Sequence, residues 1–449
     1  MTSSASDPTA VGGVIAAIRR PWRRALVWLA ILGPFFFLSY GFANWLASRR
    51  TDVGAIVFDW EHGMPFLPWS IVPYWSIDLF YVLSLLLPRS NVELDAHAKR
   101  LLAAQIISVV FFIAFPLHFT FERPPTSGVF GWMFDVLHGF DKPFNQAPSL
   151  HISLLVILWT LYARYAGGIW LWVLRVVAIL IGLSVLTTYQ HHFIDIPTGV
   201  LVGGLAVLLF PLDRQPALTQ RDSRRWLLGT AYLAGGVAFA VLALWLRGAW
   251  LWLLWPTCSL LIVAGIYFRA DPALFRKHGG RMDEAVVVLL APYLAAAWIN
   301  SRWWTRKRPS PSEIVPGLWL SRWPTRAEIN RLQPHALVDC CAELPVNVQG
   351  RPLLSVPMLD LLTPEVFQIE RGVAAISTAR QSGSTLVFCA LGYSRSAVMV
   401  VAWLLDQGLA ANIDAATAMV RRARPSLVLS PAHIAQLESW YEHRAPRNG

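Results

Sequence analysis

The sequence predicts a polytopic α-helical membrane domain followed by a small α/β domain, and two observations carry this reading. Of 449 residues, 55% are hydrophobic, 14% are charged and 22 are tryptophan, a balance far from that of ordinary soluble chains. Long apolar runs fill the chain up to about position 300, whereas from 309 onward short apolar runs alternate with helical patterns.

In chain order, a basic tail at 1–24, with Arg19, Arg20, Arg23 and Arg24, precedes the first apolar run. Candidate spans follow near 25–47, 66–88, 101–120, 150–166, 168–188, 192–213, 225–246 and 248–268. Each approaches the roughly 20 apolar residues that a helix needs to cross a bilayer. The first is too long and aromatic for a signal peptide and reads as an uncleaved anchor. Residues 25–213 then form a core membrane domain and 214–300 add further membrane helices.

Basic residues orient the spans. The tail, the 89–100 loop, the 214–225 loop (Arg214, Arg221, Arg224, Arg225) and the 269–281 loop (Arg269, Arg276, Lys277, Arg281) fall on one side, which the positive-inside rule makes the cytoplasmic face of an inner membrane. The segment 284–300 is short, contains Pro292 and runs into Arg302, Arg306, Lys307 and Arg308. It reads as a re-entrant or in-plane segment, which leaves the C-terminal domain in the cytoplasm; a full span would turn that domain outward. The net charge of +11 lies mainly between apolar runs, so the expected partner is an anionic lipid surface and not nucleic acid. Cys258, Cys340, Cys341 and Cys389 have neither metal-ligand spacing nor the number for a disulfide framework, so no metal or cofactor is expected.

A linker at 301–312 contains the proline-punctuated start of "PSPSEIVPGLWL", and the last domain occupies 313–449. There "ALVDC" and "STLVF" read as buried strands, and 364–380, 396–408, 411–423 and 431–443 as helices. Alternation of this kind argues for an α/β domain of ordinary size.

Polar residues at span ends carry the membrane chemistry. Arg123 in "FERPP", His151 in "APSLHIS" and His191 in "YQHHFIDIPTG" all fall at the outer face when the crossings are counted. Asp195 follows His191 by one helical turn, so its carboxylate can hold one imidazole nitrogen and fix the tautomer. An arginine, two histidines and an aspartate suit phosphoryl transfer: one histidine attacks phosphorus, the other protonates the leaving oxygen and arginine neutralises the equatorial oxygens. Taken singly, each would be an unremarkable interfacial residue.

"RP", "PSLH" and "HHFID" resemble the signature motifs of the type 2 phosphatidic acid phosphatase superfamily over about 66–213, most closely its inositol phosphorylceramide and sphingomyelin synthase branch. The resemblance implies a six-helix core with His191 as nucleophile, Asp195 as its orienting partner, His151 as general acid and Arg123 as phosphate ligand. Two cationic positions of the soluble-type motif are absent, with Pro116 in place of one and Ser184 and Val185 around the other. The synthase branch also lacks them, which tilts the expectation from hydrolysis towards head-group transfer between lipids.

In the C-terminal domain, "TLVFCALGYSRSA" places Cys389 to Arg395 in a strand-to-helix turn. Backbone N–H groups and a helix N-terminus make an anion cradle there and favour a thiolate. Gly392 allows close approach of the backbone, Arg395 offers a fork for phosphate oxygens, and Ser396 is placed to hydrogen-bond the sulfur. With "IVPGLWLSRWP", "ALVDCCAELP", "VPMLD" and "ARPSLVLSPAH" around it, the region 313–445 resembles the dual-specificity phosphatase family. That resemblance implies Cys389 as nucleophile, Arg395 as phosphate and transition-state ligand, and Asp360 as general acid. Phe388 stands where the family usually has histidine.

Together these readings describe a bifunctional lipid enzyme. A membrane site would transfer or hydrolyse a lipid phosphate ester through phosphohistidine, and a tethered phosphatase would act on a lipid head group or a phosphoprotein. The alternatives are a membrane-anchored protein phosphatase with an idle membrane domain, and a lipid transporter with a regulatory tail.

Overall fold

A computed structural model describes residues 20–212, 220 and 222–444. Most of the basic tail, including Arg19, lies outside the described residues, as do Arg214 and Arg221. The chain divides into two compact units, 1–196 with 210–213, and 197–209 with 214–449.

The first unit contains α1 (Trp22–Ala47), α2 (Ile71–Ser84), α3 (Asn91–Ala114), α4 (Gly128–Phe140), α5 (Leu150–Tyr165) and α6 (Ile169–Thr187). Helix α3 begins well before the span expected at 101, because Ser90 caps it by accepting from the Glu93 N–H at 3.1 Å. The charged stretch expected as a loop is thereby helical, and Asp95 on it receives Arg24 Nε at 2.6 Å and Trp28 Nε1 at 2.9 Å. Helix α4 was not expected, and the span expected at 66–88 is the shorter α2. The helices pack through polar contacts: His97 to Ser84 at 2.8 Å, Gln105 to Ser39 at 2.9 Å and Tyr162 to the Phe80 carbonyl at 2.8 Å. Large apolar side chains such as Leu38 and Trp170 are exposed. Buried polar contacts within an apolar core, beneath an exposed apolar surface, are compatible with a lipid solvent.

The second unit holds α7 (Asp195–Leu209) beyond its first turn, then α8 (Arg224–Leu246), α9 (Leu254–Arg269), a hairpin of β1 (Lys277–His278) and β2 (Arg281–Met282), and α10 (Glu284–Trp304). Among the described residues, α1, α3, α6, α8, Gly248–Arg269 and α10 are long and apolar enough to cross a membrane, and α5 and α7 are shorter apolar helices. Of the re-entrant and in-plane alternatives expected for 284–300, only the re-entrant one disagrees with α10, which is one helix of 21 residues through Pro292 and does not turn back. Membrane helices accommodate an interior proline when neighbouring groups satisfy the freed backbone. It also continues into the stretch expected as linker, where Ser301 and Thr305 are buried.

The α/β domain comprises β3 (Ser312–Val315), β4 (Leu318–Ser321), α11 (Arg326–Leu332), β5 (Ala336–Cys341), β6 (Leu353–Met358), α12 (Val366–Gln381), β7 (Thr385–Phe388), α13 (Arg395–Asp406), α14 (Ile413–Ala423) and α15 (Pro431–Arg444). The sheet order is β3-β4-β7-β5-β6, with β3 antiparallel to β4 and the remaining pairs parallel. One face packs on α12, α13 and α15 through residues such as Ile376, Val401 and Leu437, and the other on α11 through Ile329, Leu337 and Phe388. Strands covered on both faces read as unbroken apolar runs, which is why "ALVDC" and "STLVF" were recognisable. Central β7 delivers its C-terminal end to the crevice where open α/β sheets bind ligands.

Candidate active sites

In the first unit, His191 sits in the turn after α6. Its Nδ1 lies 2.9 Å from Asp195 Oδ2 and its Nε2 lies 3.3 Å from Ser149 Oγ. The Ser149 N–H also donates to the Asp195 carbonyl at 3.1 Å, which ties the two motif segments together. His191 and Arg123 line one cavity of about 310 Å³, joined by Lys142, His138, Asp141 and Gln190. The Arg123 guanidinium rests 4.6 Å from the centre of the Phe134 ring, with Nη1 buried and unpartnered. His151, in the first turn of α5, stacks on Tyr74 at 4.1 Å and is not among the residues lining that cavity; its Nε2 is buried without a partner. Geometry therefore brings His191, Asp195 and Arg123 to one place. Lys142 is a cation that the sequence reading missed, since "FDKPF" carries no spacing signal. His192 is a structural residue: Nδ1 meets Glu61 Oε2 at 3.0 Å, and Nε2 accepts from the Thr120 N–H at 3.2 Å.

The second cluster is built where β7 turns into α13. Gly392 adopts φ +69°, and its N–H donates to Cys389 Sγ at 3.2 Å; Ser396 Oγ donates to the same sulfur at 3.2 Å. The loop carbonyls are held away from the sulfur. Arg424 donates from Nε to the Gly392 carbonyl at 2.8 Å and from Nη2 to the Leu391 carbonyl at 3.2 Å, while Ser301 Oγ donates to the Ala390 carbonyl at 2.6 Å. With three loop carbonyls engaged elsewhere, the Gly392 N–H meets the sulfur and α13 starts at Arg395, the polarity an anion requires.

Arg395 is almost fully buried. Its Nη1 and Nη2 grip Glu343 bidentately at 2.9 and 2.8 Å, Nη1 also reaches the Met358 carbonyl at 2.8 Å, and Nη2 lies 3.0 Å from Asp360 Oδ1. The Nε–H has no protein partner, so the edge formed by Nε and Nη2 is the one that can turn to a phosphate. Burial raises the Asp360 pKa above the usual carboxylate range; Arg395 opposes this and Glu343 adds to it. Burial also pushes the Glu343 carboxyl up, but its pairing with Arg395 more than offsets that and leaves it below its ordinary value. The two carboxyls are thus shifted in opposite directions, which suits Asp360 to donate a proton and Glu343 to act as a fixed charge.

The dual specificity phosphatase catalytic-domain family matches residues 318–443. Residues 318–443 are a dual-specificity phosphatase domain. The mouse dual specificity phosphatase 28 is 35% identical over 113 residues, 25% of this chain and 63% of that protein, so the chain spans less than two thirds of this relative. Among solved structures, Tk-PTP in its active form is 27% identical, with 30% of this chain and 98% of that chain covered and a TM-score of 0.28. Human DUSP28 is also 27% identical, with 29% and 96% covered and a TM-score of 0.27.

Within the phosphatase domain, Phe388 is fully buried against Ile329, Leu337 and Leu386, on the sheet face opposite the Cys389 cluster. Arg424 and Ser301 restrain the loop carbonyls that no histidine at 388 is there to hold. Sequence reasoning missed Glu343, Arg424 and Ser301. The first two lie inside the quoted stretches "ALVDCCAELP" and "ARPSLVLSPAH", but a lone charge far along the chain carries no spacing signal. Cys340 and Cys341 are buried on β5, and burial pushes both thiols up, as suits small core residues.

Proposed function

We propose that this protein is a bifunctional, multi-pass inner-membrane enzyme in which the dual-specificity domain removes phosphate from a membrane-held substrate and the membrane domain transfers or hydrolyses a lipid phosphate ester. The observation that carries the phosphatase half is the Cys389 sulfur receiving both the Gly392 N–H and the Ser396 hydroxyl, with the Arg395 fork fixed next to Asp360. The Cys389 thiolate attacks phosphorus to form an S–P bond, and Asp360 donates its proton to the departing alkoxide. Water then attacks the cysteinyl-phosphate and gives its proton to Asp360. Orthophosphate leaves, and the sulfur recovers its electron pair while accepting the Ser396 hydrogen bond.

A lipid phosphate is the substrate class favoured by the surroundings of the loop. Tyr393 of the loop donates to the Trp304 carbonyl at 2.9 Å, at the end of α10. Trp303 and Trp304 are exposed there, next to Arg302, Arg306, Lys307 and Arg308. Tryptophan with lysine and arginine is the signature of a helix end at head-group level, and tethering there raises the effective concentration of a membrane substrate.

The membrane half rests on the His191–Asp195 pair beside a cavity with two cations, Arg123 and Lys142. In this reading His191 Nε2 is the nucleophile, Asp195 fixes its tautomer, and Arg123 with Lys142 binds the phosphate. His151, whose Nε2 has no hydrogen-bond partner, is the general acid in this reading. Lipid extracts from cells carrying wild type, His191→Ala and Cys389→Ser test both halves. The expected result is a different lipid phosphate accumulating in each variant. Unchanged lipids in both, with phosphoprotein hydrolysis lost in Cys389→Ser, would make the chain a membrane-anchored protein phosphatase instead.

A further inference from the structure

The loop that carries Asp360 is fastened from outside the phosphatase domain. Gln220, fully buried before α8, accepts the Leu359 N–H on Oε1 at 3.0 Å and donates from Nε2 to the Thr363 carbonyl at 3.3 Å. Asp222 Oδ2 accepts the Thr363 N–H at 2.9 Å. Tyr267, near the end of α9, donates its hydroxyl to the Asp360 carbonyl at 3.1 Å. Gln220 is itself locked to the end of α9, its N–H donating to the Ala270 carbonyl at 2.9 Å. Between these contacts Leu361 holds φ +61°, a left-handed conformation that a leucine adopts only where its neighbours impose it. The family match begins at 318, so none of these fastening residues belongs to the phosphatase domain.

We infer that Gln220 and Tyr267 are positioning residues for the phosphatase reaction, holding the 359–363 backbone so that the Asp360 carboxyl stands beside Arg395. The membrane-associated segment before and at the end of the α8–α9 pair is thereby part of the catalytic apparatus and not a passive anchor. The physical link is short. Backbone groups on both sides of Leu361 are bonded to the 220–267 segment, so loss of these bonds frees the strained turn to relax and carries Asp360 away from the leaving oxygen. The inference rests on the reading of Asp360 as proton donor.

The test uses the full chain in detergent micelles and two substrates: an alkyl phosphate, whose alcohol leaves only with a proton, and an aryl phosphate whose acidic phenol leaves without one. Asp360→Asn is the reference and should lower alkyl-ester kcat/KM by about 100-fold or more, with little effect on the aryl ester. Tyr267→Phe and Gln220→Ala should each lower alkyl-ester turnover by about 3- to 10-fold, the range of one or two lost hydrogen bonds, and change the aryl ester by less than about twofold. Gln220→Glu, which keeps the acceptor for the Leu359 N–H, should recover part of the loss. Aryl-ester turnover needs Cys389 and Arg395 in place and so reports folding. Equal loss on both esters would mean that the residues only hold the domain together, and no loss on either would mean that they do not position the acid; both results overturn the inference. An Asp360→Asn variant without ester selectivity would refute the proton-donor reading itself, whereas selectivity there without selectivity in Tyr267→Phe and Gln220→Ala would refute the positioning role alone.

Discussion

Gly392→Ala isolates how the loop geometry makes the thiol reactive. At φ +69° an L-residue occupies the left-handed region, at a cost of about 1–2 kcal/mol. A Cβ there would also overlap the Ser321 carbonyl and lie 2.7 Å from Arg322 N, inside the 3.0 Å that real Cβ atoms keep. Overpacking of this kind adds about 1–3 kcal/mol, because β4 or the loop must give way. Gly408 provides the internal control. It has φ +65° and open space within 4 Å of where an alanine methyl would sit, so Gly408→Ala should show the conformational cost alone and keep full activity. For Gly392→Ala the loop is expected to shift by several tenths of an ångström and to aim its N–H away from Cys389 Sγ. Since a misplacement of about 1 Å can cost about 100-fold, turnover should fall at least about tenfold. The assay pairs aryl-phosphate kcat/KM with thermal unfolding in detergent for both variants. If Gly392→Ala retained wild-type turnover and lost no more stability than Gly408→Ala, the assignment of this glycine to the anion cradle would be wrong.

Two further predictions concern the carboxylates. Asp360 works in its acid form, populated below its pKa, and burial raises that pKa; alkyl-phosphate turnover should therefore persist above the usual aspartate range and fall as pH rises through the raised value. A pH profile of kcat/KM should lose this alkaline limb in Asp360→Asn. Glu343→Gln removes the charge that holds the Arg395 fork in plane, and disrupting a buried pair costs about 3–5 kcal/mol when one partner is removed, less when the replacement keeps a hydrogen bond. The expected result is a lower thermal midpoint and weaker inhibition by vanadate; unchanged vanadate affinity would show that Glu343 does not orient Arg395.

Legibility tracked the range of the interaction. Cys389 to Ser396 lie within eight residues, and Ser396 meets the sulfur as its spacing implies, with the Gly392 N–H beside it. Likewise His191 and Asp195 lie four residues apart and meet at 2.9 Å. Glu343, 52 residues from Arg395, and Arg424, 32 residues from Gly392, act as directly on the loop but leave no local mark. The early start of α3 at Asn91 was readable in principle from its Ser90 cap, yet charge in that stretch outweighed the capping signal. In α10, Pro292 and the flanking arginines left re-entrant and in-plane segments both open, and the continuous helix disagrees only with the re-entrant one.

By itself the sequence determined that the chain has an apolar helical part and an α/β part, and placed the Cys389–Ser396 loop in the latter, because hydrophobic periodicity and short motifs are local properties of a chain. Only the tertiary structure decided that Phe388 faces away from the thiol, that His192 is tied to Glu61, and that the 359–363 backbone is bonded to Gln220 and Tyr267. Those facts depend on packing between segments that in the last case lie 93 residues apart for Tyr267 and Asp360 and 139 for Gln220 and Leu359, where spacing along the chain carries no information about distance in space.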